Sequence, residues 1–173
     1  MTTPRSQTPR SQTGSSTTKN SSAPNAIELL MSDHRKVEAL FEEFEKSKRD
    51  EKRERIVQEI CKELTLHADL EEAEFYPLVQ KTLKDTADMI DEARVEHSSL
   101  RWLIKQLQSA DSGSDLYEAK VTVLKEYVQH HVREEEKELF PKVKKSEIDI
   151  EELGVTLQNA KPKLEKTLKQ KLN

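Results

Sequence analysis

The chain has one cysteine, three glycines and one tryptophan in 173 residues. A lone thiol, Cys61, rules out an intramolecular disulfide framework and fits a reducing compartment. No run approaches the roughly 18 consecutive apolar residues of a membrane span, and no signal-peptide core is present. A basic excess is also lacking: the net charge is −4 and the pI about 5.8. No global positive field therefore invites nucleic acid or an anionic membrane. A cytoplasmic protein is expected, with no nucleic-acid or membrane partner. Charged residues make up 36% and hydrophobic ones 34% of the chain, the profile of a helical protein with heavily charged outer faces.

The length suits one domain with appendages. Residues 1–24 are Ser, Thr, Pro and Gln with scattered basic groups and no acid, and the pentapeptide starting at Thr3 repeats at Thr8. Such a segment buries too little apolar surface to offset chain entropy, so a disordered tail is expected, free to bind a partner of unknown chemistry. Its composition resembles a transit peptide, but Pro4, Pro9 and the lack of an apolar face argue against that. Residues 25–145 are expected to form the folded domain, and residues 146–173 a short amphipathic helix packing on it.

Within the domain the periodicity predicts four helices. Asn25 caps the first, which runs to about Lys48; the second spans about Lys52 to Tyr76 and stops at Pro77. Asp85 caps a third ending near Ser109, and Asp115 caps a fourth ending before Pro141. In the last stretch, Leu153, Leu157, Ala160, Leu164 and Leu168 form an apolar stripe that Gly154 and Pro162 weaken.

Each of the four helices carries a histidine on its apolar stripe: His34, His67, His97 and His131. Two stripes also carry a glutamate one turn on, Glu71 and Glu135. His-x-x-x-Glu spacing alone is a weak signal, because His34–Glu38 and His130–Glu134 show it too. Registration discriminates. The segment His67–Val79 aligns without gaps on His131–Val143, and Asp33-His34 matches Glu96-His97 with the apolar residues that follow. In that alignment Glu71 meets Glu135, whereas Glu38 meets Arg101 and His130 meets Leu66. Two such hairpins make an all-α, antiparallel up-down four-helix bundle with a pseudo-twofold repeat. Four imidazoles and two carboxylates then meet at its centre, where burial is costly without a partner, and a metal cluster is the economical one.

The pattern of one His followed by His-x-x-x-Glu, repeated twice, resembles the hemerythrin-like (HHE) cation-binding domain over about residues 26–145. The resemblance implies a hemerythrin-type bundle with two iron ions in its core. It implies that His34, His67, His97 and His131 are terminal ligands, and that Glu71 and Glu135 bridge the irons beside an oxo or hydroxo group. Oxygen-carrying hemerythrins have a further His pair four apart on the third helix. Here Arg101 follows His97 and Ala93 precedes it at those distances, so reversible dioxygen carriage is not implied.

The donor chemistry agrees independently. Imidazole and carboxylate without thiolate suit iron or manganese, with zinc a substitute. Six protein donors are too many for one tetrahedral zinc and reasonable for two bridged ions. Open positions would take dioxygen, nitric oxide, peroxide or solvent, and Tyr76, Tyr117, Tyr127 or Glu38 is a candidate to close one. Glu72, Glu74, Glu134, Glu136 and Glu138 read as a solvated face, and Asp33 and Glu96, each just before a candidate ligand, as partners of the ligating histidines or, in preference, as surface acids. His130 reads as a flanking residue, Trp102 as packing under the last helix, and Cys61 as a small buried hydrophobe. Two function classes follow: a monomeric module binding or sensing a small molecule or iron, or a redox enzyme consuming peroxide or acting in iron–sulfur-cluster repair. No Glu-x-x-His occurs, against a ferritin-like oxidase, and no His-Glu-x-x-His, against a zinc protease.

Overall fold

The computed structural model describes residues 23–172. Apart from Ala23 and Pro24, the tail expected to be disordered lies outside the described residues. Helix α1 (Ala26–Lys46) opens with a reciprocal cap: Asn25 Oδ1 accepts from the Glu28 amide at 3.0 Å, and the Asn25 amide donates to Glu28 Oε2 at 3.1 Å. Helix α2 (Asp50–Leu70) follows after a three-residue turn and leads through a π turn into α3 (Tyr76–Thr82). Helix α4 (Ala87–Gln108) starts from a 3₁₀ turn at Lys84–Thr86. Asp85 pairs there with Lys142 at 3.0 Å and does not cap the helix. Before α5 (Tyr117–Glu134) the capping position is Leu116, in the left-handed region at φ 68°, and not Asp115.

The prolines do not end their helices, contrary to expectation. The chain passes through the π turn at Glu71–Phe75 into α3, and through another at Glu135–Leu139 into α6 (Phe140–Lys144). A proline in a helix clashes with the carbonyl four residues back and cannot donate to it. Widening the preceding turn relieves that clash. The Tyr76 amide bonds to the Glu71 carbonyl five residues back, and Phe140 does the same with Glu135. Each proline then sits in the first turn of the next helix, where its missing N–H costs least.

The last helix, α7 (Ile150–Leu172), has 23 residues and is not short. Asp149 Oδ1 accepts from the amides of Glu151 and Glu152 and so caps it. It lies across α1 and α2, where Leu153, Leu157 and Ala160 pack with Leu29, Leu30 and Leu70. Gly154 permits that contact: a Cβ there would stand 2.7 Å from the Pro24 carbonyl oxygen and 2.9 Å from the Ala26 nitrogen. Trp102, on α4, is therefore not under α7 but 62% exposed.

Two apolar clusters fill the bundle. One holds Phe41, Phe44, Val57, Ile60, Leu103, Ile104, Leu107 and Leu124, with Cys61 fully buried among them. The other holds Ile27, Leu30, Leu70, Phe75, Ile90, Leu139 and Phe140. Each fully buried aliphatic side chain contributes about 1.5–3 kcal/mol. Between the clusters lies a polar layer of His34, His67, Glu71, His97, His131 and Glu135, all buried. Among the described residues no helix is long and apolar enough to cross a membrane.

Candidate metal centre

All six side chains read from the stripes converge in that layer. His34 Nε2 and His67 Nε2, from the first hairpin, lie 3.1 Å apart; His97 Nε2 and His131 Nε2, from the second, lie 3.2 Å apart. Glu71 Oε2 is 3.2 Å from His67 Nε2 and 3.4 Å from His97 Nε2, so it reaches both pairs. Glu135 Oε2 likewise stands 3.3 Å from His34 Nε2 and 3.5 Å from His131 Nε2. The donors group as His34, His67, Glu71 and Glu135 on one side, and Glu71, His97 and His131 on the other.

The outward ring nitrogens explain the orientation of the inward ones. His34 Nδ1 donates to Glu136 Oε1 at 2.8 Å, His97 Nδ1 to Glu72 Oε1 at 2.9 Å, and His131 Nδ1 to Glu96 Oε2 at 2.8 Å. A proton on Nδ1 leaves the Nε2 lone pair facing inward, the tautomer a metal ligand needs. His67 Nδ1 lacks a hydrogen-bond partner, with Asp33 Oδ2 3.9 Å away. Glu72 and Glu136 are therefore supports of the centre, not the solvated acids expected from sequence, and of the two readings of Glu96 the structure bears out the partner of a histidine and not the surface acid. Arg101 braces Glu72 at 2.7 Å and Asp69 at 2.9 Å, and Arg35 pairs with Glu136 and Glu38.

Of the four candidates for an extra position, Tyr76 is at the centre. Its hydroxyl donates to Glu135 Oε1 at 2.9 Å and lies 3.3 Å from Glu71 Oε2. Tyr117 belongs to the distant apolar cluster, Tyr127 is half exposed, and Glu38 faces Arg35. Burial, then the charges of Glu135 and Glu71, push the Tyr76 phenol well above its ordinary range, so it remains a neutral donor.

Electrostatics tie the layer together. Burial works against charge on His34, but the neighbouring Glu135 carboxylate and the charge of Glu71 prevail and raise its pKa. The same opposition raises His97, through Glu71 and Glu72, and carries His131 well up, through Glu135, Glu71 and Glu96. Burial pushes Glu71 upward, yet the imidazoles of His67, His131 and His97 around it hold it well below the usual carboxylate range. The His97 hydrogen bond, against burial and with help from Arg101, brings Glu72 down to about 2.

The donor set fits a metal. Imidazole nitrogens at 3.1–3.2 Å with lone pairs facing one another repel unless a proton or cation stands between them. Glu71 Oε1 and Glu135 Oε2 are buried without a hydrogen-bond partner, which is costly for carboxylate oxygens unless a cation compensates. A cation held within the layer answers both demands.

The hemerythrin family, described as the hemerythrin HHE cation binding domain, matches residues 25–143. The chain belongs to this family. An HHE cation-binding domain-containing protein from Mycobacterium kansasii shares the fold, with a TM-score of 0.74 at 23% identity over 86% of this chain and 92% of that one. A curated relative from Nostoc sp., named DNA nickase, is 30% identical over 148 residues, which are 83% of this chain but 41% of the relative. The HHE chain thus spans less than half the length of that relative.

Proposed function

We propose that this HHE protein holds two iron ions in the polar layer and binds a small molecule beside them: dioxygen, nitric oxide or peroxide. Manganese or zinc would be substitutes for iron in the same donor set. The observation that carries the reading is a hollow of about 20 Å³ bordered by the four histidines and by Val37, Leu64, Leu100 and Val128. A void of that size admits a water or a diatomic molecule and little else. Its apolar wall favours a weakly polar ligand.

His34 and His67 would hold one ion, His97 and His131 the other, and Glu71 and Glu135 would span both. The iron pair would supply open coordination positions and one-electron redox steps. The protein's part is orientation and exclusion. Glu72, Glu96 and Glu136 fix three imidazole rings, Tyr76 restrains both carboxylates by hydrogen bonding, and the two apolar clusters keep bulk water out.

The name of the Nostoc relative concerns a longer protein. Burial of all six donors supports a small-molecule ligand over a polymer backbone, and the acidic balance of the chain points the same way. The test is the visible spectrum of anaerobic, ferrous-loaded protein during successive additions of air, nitric oxide and peroxide, alongside metal analysis. Two ions per chain and a stable ligand-dependent band are expected for binding. Peroxide vanishing over many turnovers would instead favour a redox enzyme, and one tightly held ion per chain would remove the dinuclear reading.

A further inference from the structure

The two hairpins differ where the repeat should make them alike. On the α1–α2 side, Leu29, Leu66 and Leu70 are buried, and Leu29 and Leu70 pack in the cluster that α7 completes with Leu153 and Leu157. Asp33, on the same side, is paired with Lys161 of α7 at 2.5 Å. In the second hairpin the equivalent positions are Glu92, His130, Glu134 and Glu96. Among the described residues no helix covers them. Three leucines have become two carboxylates and an imidazole where the bundle is left open.

Three of these four positions border a cleft of about 70 Å³. Glu92, Glu96, Glu134 and Glu138 line it, and buried His131 and Glu135 form its inner wall. Among the described residues no lysine or arginine lines it. At its rim His130 Nε2 lies 3.3 Å from Glu96 Oε1 and 3.2 Å from Glu134 Oε1, and the three offer donor atoms within 4.8 Å of one another. Glu96 joins rim to centre, since its other oxygen accepts from His131 Nδ1 at 2.8 Å. Glu135, only 3% exposed, keeps Oε2 without a hydrogen-bond partner. The cleft thus lies between three partly exposed donors and two residues of the buried donor set, His131 and Glu135.

We propose that Glu96, His130 and Glu134 form a capture site for a divalent cation, at the mouth of an acidic portal that feeds the buried centre. The proposal rests on the dinuclear reading above. One imidazole and two carboxylates suit a first-row divalent ion. A cleft lined by one sign of charge focuses its field and raises local cation concentration and entry rate, by about 10- to 1,000-fold in favourable cases. An open, partly hydrated site binds weakly enough to release its ion inward. The α1–α2 side, filled by leucine and closed by α7, offers no such route.

The test uses the full chain, first without metal. Titration with Mn(II) alone, followed by electron paramagnetic resonance, should reveal a weak third ion beyond the two of the core. The double variant His130→Leu with Glu134→Leu, which installs the residues of the first hairpin, should lose that third ion and still reach two. Anaerobic uptake of Fe(II), stopped at intervals with a ferrous chelator, should be at least tenfold slower in the variant. Glu138→Lys, a change at an exposed rim position, provides an arm independent of the capture donors. It should slow uptake at low ionic strength, with the difference fading in high salt. Retention of the third ion by the double variant, or unchanged uptake in either variant, would overturn the proposal. A native chain that never takes up two core ions would instead overturn the dinuclear reading, while the third-ion signal would stand or fall by itself.

Discussion

Glu72 of the first hairpin accepts a hydrogen bond at 2.9 Å from His97 of the second, and Glu136 of the second accepts one at 2.8 Å from His34 of the first. Each hairpin thus sets the ring orientation of a histidine it does not own. The supporting carboxylates couple the halves of the bundle as directly as the central glutamates do.

Removing one of these supports should weaken metal binding without removing a donor. Glu72→Ala is expected to lower metal affinity by about 10- to 100-fold, the usual cost of losing a carboxylate behind a ligating histidine. Competition against a chelator of known affinity measures it. Unchanged affinity would show that His97 needs no partner.

The carboxylates themselves can be sorted by substitution. Glu71→Ala or Glu135→Ala should abolish the paired-metal absorption, whereas Glu38→Ala should leave it at native intensity. Glu134→Ala should also reach native intensity at equilibrium. If Glu134 proved indispensable for final occupancy while Glu135 did not, the repeat alignment would be shifted by one residue.

Tyr76 and Phe140 occupy equivalent repeat positions, and only Tyr76 carries a hydroxyl. A buried hydrogen bond to a charged acceptor contributes about 1.5–3 kcal/mol. Tyr76→Phe, which keeps the ring stacked on His97, is expected to cost about that much in urea unfolding at neutral pH. Equal stability would mean the two glutamates do not depend on the phenol.

The far end of the bundle should govern alkaline behaviour. Burial pushes the Cys61 thiol up to about 12 from 9.0, and burial followed by the charges of Cys61 and Glu54 pushes Tyr117 up to about 12 from 10.0. Groups whose pKa is raised on folding contribute stability that is complete below the unfolded value and lost as pH climbs to the folded one. Stability should therefore fall between pH 9 and pH 12, less steeply in Cys61→Ala or Tyr117→Phe. Thiol reagents should leave Cys61 untouched in the native protein at about pH 8, near the ordinary thiol pKa, and modify it rapidly in denaturant. A flat alkaline profile would contradict the burial of both groups.

Gly154 sets how closely α7 approaches α1. Gly154→Ala forces a methyl to within 2.7 Å of the Pro24 carbonyl oxygen, a backbone atom with little room to yield. The expected cost is about 1–3 kcal/mol by thermal or urea unfolding, as for overpacked cores. A neutral or stabilising effect, as helix propensity alone would give, would mean that α7 docks more loosely.

Steps of three and four residues suffice to read the bundle and the convergence of His34, His67, Glu71, His97, His131 and Glu135, because a buried stripe repeats within one helix. Glu72 and Glu136 escape such a reading, because their partners lie on other helices and no periodicity within a helix encodes that. One signal is available: Glu72 aligns with Glu136 in the repeat just as Glu71 does with Glu135. Trp102 is misplaced by sequence for a related reason. The stripe on α7 reveals that it packs, but not which side of the bundle receives it. Pro77 and Pro141 look like stops in sequence because the rule for a regular helix omits the wider turn.

That wider turn has a geometric consequence. In a regular helix, residues five apart point about 140° away from each other. Across Glu71–Phe75 the extra residue takes up most of that angle, and the Tyr76 hydroxyl comes to 3.3 Å from Glu71 Oε2. The helix is out of phase with itself on the two sides of the turn. Upstream, the angular setting suits a histidine and a carboxylate aimed at the bundle axis; downstream, it brings an aromatic ring round to close the chamber beneath them. Pro77 and Pro141 act as keys in a coupling, since neither downstream segment can slip back into phase without driving a pyrrolidine ring into the carbonyl of Ala73 or Lys137.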